Sequence, residues 1–197
     1  MEKIKLTIDG REITAQNGQT VFQAAAAAGI HIPSLCFHEQ LEPYGGCRVC
    51  SVEVVTGSRS KVVASCVYPA SNGLVVNTNT EKIRHIRKVL IELLLTKAPA
   101  SKPIRDLAEE YGADTARFSH DASFCILCGL CVRYCAEVKK ANALCFISRG
   151  TQREVTFVPE IANRECEKCQ QCFDICPTNF IRANFEMAKA LTFGTEE

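Results

Sequence analysis

The chain has 197 residues, of which 47% are hydrophobic, and 23 basic against 22 acidic side chains leave a formal charge of +1. This balance gives no argument for nucleic-acid or membrane-surface binding, and no apolar run is long enough to span a membrane. Thirteen cysteines without an N-terminal signal-peptide pattern predict a cytoplasmic location, where clustered thiols indicate metal binding or catalysis rather than disulfides.

The N-terminal segment predicts a β-hairpin followed by a short helix. Apolar and polar residues alternate on both sides of Asp9-Gly10, a dipeptide typical of type I′ turns. Thr20, with Gln23 three residues later, forms a capping-box pattern that opens an alanine-rich helix, and Gly29 ends it.

Three further strands are predicted before residue 80. The stretches 52–55 and 61–65 flank a turn at Gly57, and a third stretch covers 74–77. Two strands, a helix and then strands with cysteines on a loop predict a β-grasp ferredoxin domain over residues 1–80.

Four cysteines of this domain form a candidate [2Fe-2S] site. Their spacing, C-x10-C-x2-C-x15-C, differs from the plant-type C-x4-C-x2-C run, and a zinc site is the alternative for this pattern taken alone. Two glycines before the second cysteine allow the backbone to pass close to a cluster and point N–H groups at its sulfurs. The four are Cys36, Cys47, Cys50 and Cys66.

The segment from 81 to 118 is predicted to be a helical linker. A helix over 81–96 has Thr80 as its N-cap. A Pro/Ala/Ser/Lys linker at 98–103 separates it from a second helix over 104–111.

Residues 119–197 contain two copies of C-x2-C-x2-C-x3-C. This run is typical of bacterial two-cluster ferredoxins, in which the fourth cysteine of each run binds the cluster of the other run. A structural zinc site takes four ligands and has no open coordination position, so two repeated runs with this spacing are a poor match to a zinc site. The crossing predicts one [4Fe-4S] cluster on Cys125, Cys128, Cys131 and Cys176, and another on Cys135, Cys166, Cys169 and Cys172.

The thirteenth cysteine, Cys145, lies outside both runs, on the first of two predicted strands at 144–147 and 155–158. We expect it to be a small buried hydrophobe. Because every predicted cluster already has four cysteines, we expect none of the histidines to be a ligand. We expect the one on the 81–96 helix to face solvent or a subunit surface. The tail from 178 to 197 is expected to be a helix that covers the cluster domain or reaches a partner. The histidines are His31, His38, His85 and His120.

No pattern for substrate chemistry is present: there is no G-x-G-x-x-G, no P-loop and no nucleophile with a base, so no catalytic residue is predicted. With each oxidised cluster at about −2, the loaded chain would carry about −5. Three basic residues lie near the predicted ligands and would adjust cluster potentials, dock a partner or remain solvated surface residues: Arg133, Arg164 and Lys168.

Two parts of the sequence resemble one known family. IHIPSLCFHEQLEPYGGCRVCSVEVV and VASCVYPASNGLVVNT resemble the N-terminal [2Fe-2S] domain of the large iron–sulfur subunit of respiratory complex I, and the matching regions of NAD-linked and [FeFe] hydrogenases and NAD-dependent formate dehydrogenases. FCILCGLCVRYCAEV and CEKCQQCFDICPT resemble the double [4Fe-4S] module of that family. The resemblance implies that Cys36, Cys47, Cys50 and Cys66 bind the [2Fe-2S] cluster.

One departure from the family shortens the expected set of clusters. Family members commonly carry H-x3-C-x2-C-x5-C, which binds a further [4Fe-4S] cluster, after the helix that follows the first domain. Here no cysteine lies between Cys66 and Cys125. One [2Fe-2S] and two [4Fe-4S] clusters are therefore expected.

The resemblance implies an α+β electron-transfer subunit with no catalysis of its own. Its partners would be an FMN-bearing NAD(P)H-oxidoreductase subunit and a further redox subunit or soluble ferredoxin, in a hydrogenase, formate dehydrogenase or transhydrogenase, including assemblies with flavin-based electron bifurcation. The alternatives are a stand-alone multi-cluster ferredoxin, a zinc-binding module, and the iron–sulfur subunit of succinate dehydrogenase or fumarate reductase. The C-x10-C spacing argues against the last.

Overall fold

A computed structural model describes residues 3–119 and 123–190. It is an α+β fold with a five-stranded sheet, a two-stranded sheet and seven α-helices within the described residues. The strands are β1 (Lys3–Ile8), β2 (Arg11–Gln16), β3 (Ser51–Thr56), β4 (Arg59–Ala64), β5 (Val75–Asn77), β6 (Leu144–Ile147) and β7 (Glu154–Phe157). The helices are α1 (Val21–Ala27), α2 (Glu81–Lys97), α3 (Lys102–Tyr111), α4 (Leu130–Arg133), α5 (Pro159–Cys169), α6 (Gln171–Asp174) and α7 (Phe180–Ala188).

The larger sheet is mixed, with strand order β2-β1-β5-β3-β4, and only β1 and β5 pair in parallel. Asp9 and Gly10 both have positive φ, 49° and 77°, as a type I′ turn requires, so the predicted hairpin is confirmed. Strand β5, which follows both hairpins in the chain, lies between β1 and β3 and joins the two hairpins into one sheet.

Helix α1 packs on this sheet through small side chains. The predicted capping box is present: the Gln23 backbone N–H donates to Thr20 Oγ1 at 3.3 Å, and the Thr20 N–H donates to Gln23 Oε1 at 2.9 Å. Ala24 and Ala25 are buried, which lets the helix approach the sheet closely.

The stretch predicted as a linker, residues 98–103, is packed rather than free. Helix α3 begins at Lys102, two residues earlier than predicted, because a proline is tolerated in the first turn of a helix. Ala98 and Ser101 are buried, and Ser101 Oγ donates to the carbonyl of Pro177 at 2.7 Å. The chain between the sheet and the C-terminal region is therefore held against that region.

The C-terminal region is built from short elements around its cysteines. Helix α4 continues into a π-helical turn at Tyr134–Val138, and the β6–β7 hairpin precedes three helices. Phe173, Ile181 and Phe185 fill its core. Helix α7 accounts for part of the predicted tail, whose residues 191–197 lie outside the described chain.

Tyr44 joins the N-terminal loops to the C-terminal region. A Cβ added at Gly46 would lie 2.5 Å from Tyr44 Cε1, and one added at Gly129 would lie 3.3 Å from the same atom. The Arg133 guanidinium lies 5.0 Å from the centre of the Tyr44 ring and donates a hydrogen bond to the carbonyl of Glu42. The ring therefore fills the space between two cysteine-bearing loops.

We predict that Gly46→Ala displaces the Tyr44 ring and lowers the free energy of unfolding by about 1 kcal/mol, at the low end for overpacking, because the ring is 37% exposed and can move. Thermal unfolding under anaerobic conditions, followed by circular dichroism, measures the effect. The matched control is the same substitution in a Tyr44→Ala background, where the cost should disappear. An equal cost in both backgrounds would contradict the packing argument.

Candidate iron–sulfur centres

The structure brings the four cysteines of the N-terminal domain together in one buried set. One follows α1, two lie on the loop that leads into β3, and one follows β4. Their exposed fractions are between 0% and 6%. The set consists of Cys36, Cys47, Cys50 and Cys66.

These four thiols form one chain of contacts. Cys36 is hydrogen-bonded to the Cys47 and Cys66 thiols, and Cys50 Sγ lies 3.3 Å from Cys66 Sγ. The hydrogen bonds from Cys47 and Cys66 lower the pKa of Cys36, and the bond with Cys66 lowers the pKa of Cys50 to about 6. The same contacts raise the pKa of Cys47 and of Cys66. The four sulfurs are therefore linked by pairwise contacts into one set.

The first three cysteines of the first C-terminal run lie with the last cysteine of the second run. Burial raises the pKa of the Cys125 and Cys131 thiols, and it raises the pKa of Cys128 to about 12. The charge of Cys176 raises each of these three pKa values further. Cys176 therefore lies close enough to the first run to act on three of its thiols.

The reciprocal grouping is found in the second set. Burial raises the pKa of Cys166 to about 11 and of Cys172 to about 12, and the charge of Cys135 from the first run raises both further. Cys135 Sγ also accepts a hydrogen bond from the Ala143 N–H at 3.1 Å. A cavity of about 290 Å³ is lined by all four members of the set, Cys135, Cys166, Cys169 and Cys172.

The three sets adjoin one another in a row. Cys36 and Cys47 of the N-terminal set pack in the same core as Cys128 of the first C-terminal set, and the charge of Cys36 acts on the Cys128 thiol. The charge of Cys172 in turn acts on Cys131. The first C-terminal set therefore lies between the other two.

The residues at these positions fit iron–sulfur clusters. Each set offers four sulfurs, the ligand type and number that a [2Fe-2S] or [4Fe-4S] cluster takes, in surroundings that are largely closed to water. Within residues 3–119 and 123–190, no group of three or more His, Cys, Asp or Glu side chains is placed so that it could hold a metal ion.

The structure describes the surroundings of the remaining cysteine and of three histidines. Cys145 is half-buried on β6 and its thiol is free. His31 and His85 are exposed, the latter as expected from its place on α2. His38 packs edge-on against Tyr134, at 5.4 Å between ring centres. His120 lies outside the described residues.

Two residues at these sites were not found from the sequence. Arg87 is 2% exposed and occupies the buried face of α2 between Ile83 and Ile91. Arg87 is four residues from each of these isoleucines, and this spacing places all three side chains on one face of the helix. The spacing was the signal in the sequence that Arg87 could be buried. Tyr44 gave no signal, because its neighbours Gly46 and Gly129 are far apart in the sequence.

Two family models match this chain. Residues 1–81 match the model of a 2Fe-2S iron–sulfur cluster binding domain, and residues 109–180 match that of a 4Fe-4S dicluster domain. None of the described helices is long and apolar enough to cross a membrane.

Relatives cover nearly the whole chain. An NADH-quinone oxidoreductase subunit of Rickettsia bellii is 34% identical over 91% of this chain and 30% of its own length. NADPH-Fe(3+) oxidoreductase subunit alpha of Geobacter sulfurreducens is 33% identical over 89% of the chain and 23% of its own length. The chain thus spans less than a third of the length of these curated relatives.

A solved structure shares the same architecture. The crystal structure of an NAD+-reducing [NiFe]-hydrogenase in the H2-reduced state contains a chain with a TM-score of 0.78 and 28% identity. The match covers 89% of this chain and 85% of that one. The chain therefore joins a 2Fe-2S cluster binding domain to a 4Fe-4S dicluster domain, and it is similar over most of its length to these oxidoreductase subunits.

Proposed function

We propose that this chain relays electrons through one [2Fe-2S] and two [4Fe-4S] clusters within an NAD(P)-linked oxidoreductase. The observation that carries the proposal is the row of three adjoining four-cysteine sets. The proposed ligands are Cys36, Cys47, Cys50 and Cys66 for the [2Fe-2S] cluster, Cys125, Cys128, Cys131 and Cys176 for the first [4Fe-4S] cluster, and Cys135, Cys166, Cys169 and Cys172 for the second.

Bound at these positions, the clusters supply one-electron oxidation and reduction. The chain's own residues hold them and keep water away: Leu130 and Phe173 are 4% and 3% exposed, and Ile175 packs beside the first set. Solvent exposure is one determinant of cluster potential, so these apolar side chains have an electronic as well as a packing role.

The sequence has no nucleotide-binding motif, so a nicotinamide cofactor would be oxidised elsewhere. The names of the relatives associate them with NADH, NADPH or NAD+. We therefore place an FMN-bearing NAD(P)H-oxidoreductase subunit at one end of the relay and a further redox subunit or soluble ferredoxin at the other. A reducing compartment such as the cytoplasm suits thirteen free cysteines.

The first test is the iron and acid-labile sulfide content of anaerobically purified chain, followed by electron paramagnetic resonance after reduction. About ten irons per chain, with one [2Fe-2S] and two [4Fe-4S] signals, are expected. Zinc without labile sulfide would contradict the proposal.

The second part of this test uses the native assembly isolated from its own cells. Flavin should co-purify with the chain, and NADH or NADPH should reduce the cluster signals. A chain that purifies without flavin and is reduced by neither cofactor would instead be a stand-alone multi-cluster ferredoxin.

We predict that Cys176→Ala damages the first [4Fe-4S] cluster and spares the second, because Cys176 lies with Cys125, Cys128 and Cys131. Iron content should fall by up to about four per chain, with loss of one [4Fe-4S] signal.

The reciprocal variant Cys135→Ala should damage the second [4Fe-4S] cluster instead. Cys145→Ala is the matched control and should retain all iron, since Cys145 lies outside the three sets. If Cys176→Ala kept both [4Fe-4S] signals, the crossed assignment would be wrong.

Removing iron should unfold the C-terminal region before the five-stranded sheet. Three of the eleven described buried residues of the C-terminal core are proposed ligands, Cys131, Cys135 and Cys166, whereas only Cys50 and Cys66 are proposed ligands among the sixteen described buried residues of the sheet core. Hydrogen exchange after anaerobic chelation measures both regions in one sample. Strong protection that persists in β6 and β7 but is lost from β1 and β3 would contradict this prediction.

A further inference from the structure

Arg87 is a fully buried cation whose hydrogen-bond partners are all neutral. It lies on α2 and is 2% exposed. Its Nε donates to the carbonyl of Val49 at 3.1 Å, its Nη2 to the carbonyl of Ser51 at 2.8 Å, and its Nη1 to the Tyr111 hydroxyl at 3.0 Å. A guanidinium stays protonated in proteins, so these contacts leave a full positive charge in the interior.

A buried charge is costly unless an opposite charge accompanies it. Among residues 3–119 and 123–190, no carboxylate lies within ion-pair distance of Arg87. Burial raises the pKa of Tyr111, which keeps its hydroxyl neutral, and Glu110, which also acts on that hydroxyl, is itself exposed. By contrast Glu92, equally buried on α2, pairs with Arg117 at 2.8 Å.

The opposite charge is found at the N-terminal cysteine set. Val49 and Ser51, whose carbonyls bind the guanidinium, are the residues directly before and after Cys50. Bond lengths along this path place the charge within about 10 Å of the Cys50 sulfur. Four thiolates around two ferric irons and two sulfides would leave about −2 on this site, and reduction by one electron would make it about −3.

We infer that Arg87 is the counter-charge of the [2Fe-2S] site and raises its reduction potential. This inference rests on the proposed [2Fe-2S] ligation by the set that contains Cys50. The added electron increases the negative charge of the site by one unit, so a fixed cation nearby stabilises the reduced form more than the oxidised form. At an effective dielectric constant of about 20, a unit charge at about 10 Å favours the reduced form by somewhat more than tenfold.

The test is an anaerobic redox titration of the full holo-chain, followed by electron paramagnetic resonance, with the [4Fe-4S] signals as internal references. Arg87→Gln keeps a neutral donor for the carbonyls and removes the charge. It should make the equilibrium constant for reduction of the [2Fe-2S] cluster about tenfold smaller. This corresponds to a potential about 59 mV lower for a one-electron couple, measured against the [4Fe-4S] signals.

Two variants separate charge from packing. Arg87→Lys retains the cation, and its [2Fe-2S] potential should stay within a threefold change of the wild type. Arg48→Gln removes an exposed cation next to Cys47, where water screens the charge, and should leave the potential near its wild-type value.

If the [2Fe-2S] reduction potential of Arg87→Gln equals that of the wild type, the inference is wrong. It is also wrong if the Gln and Lys substitutions shift this potential by the same amount. If Arg87→Gln fails to hold the [2Fe-2S] cluster, Arg87→Lys must hold it, and loss of the cluster from both variants also overturns the inference. A wild-type chain that gives no [2Fe-2S] signal would refute the proposed function itself, which is a distinct result.

Discussion

Three sets of converging, mostly buried sulfurs are the constraint on which this structure depends. Twelve of the thirteen cysteines fall in these sets, and several are members of the hydrophobic cores. A neutral thiol is tolerated in such a place as a small apolar group, but a lone thiolate is not. Neighbouring thiols lower the pKa of Cys36 and Cys50, but burial raises the pKa of sulfurs such as Cys128, so bound metal would stabilise their ionised form and would link metal binding to folding.

The same constraint explains how positive charge is distributed. Arg164 and Lys168, which the sequence suggested as residues that temper a cluster, are exposed, so water and salt screen them. Arg133 is half-buried and is held by the Tyr44 ring and by Glu137 at 3.2 Å. Arg87 alone among these is fully buried with no carboxylate partner in the described chain. Burial, rather than closeness in sequence to a cysteine, therefore identifies the cation with the largest expected effect.

Much of the architecture follows from local sequence signals. The Asp9-Gly10 turn and the Thr20 capping box need only a few neighbouring residues, and both are as predicted. The crossed cysteine runs are also a short-range pattern, because their spacing follows from the demands of a cluster. In the structure, the charge of Cys176 acts on three thiols of the first run, and the charge of Cys135 acts on Cys166 and Cys172 of the second.

Other features depend on residues that are distant in the sequence. Tyr44 packs between Gly46 and Gly129, and the latter is 85 positions away, so no local pattern could reveal the contact. The linker prediction for 98–103 rested on composition, yet Ser101 is fixed by the carbonyl of Pro177. Proline and serine indicated an interruption between helices correctly, but composition could not show what the interruption packs against.

The absence of the histidine-plus-three-cysteine motif has a structural counterpart in α3. The segment between α2 and the first cysteine run buries Ile104, Ala108 and Tyr111 in one core with Cys36 and Cys128. Apolar side chains thus occupy the space beside the [2Fe-2S] set, and Tyr111 also binds Arg87. A relay with fewer clusters remains continuous only if its remaining sites adjoin. Helix α3, in the stretch of chain where the motif is missing, packs in the same core as Cys36 and Cys47 of the N-terminal set and Cys128 of the first C-terminal set.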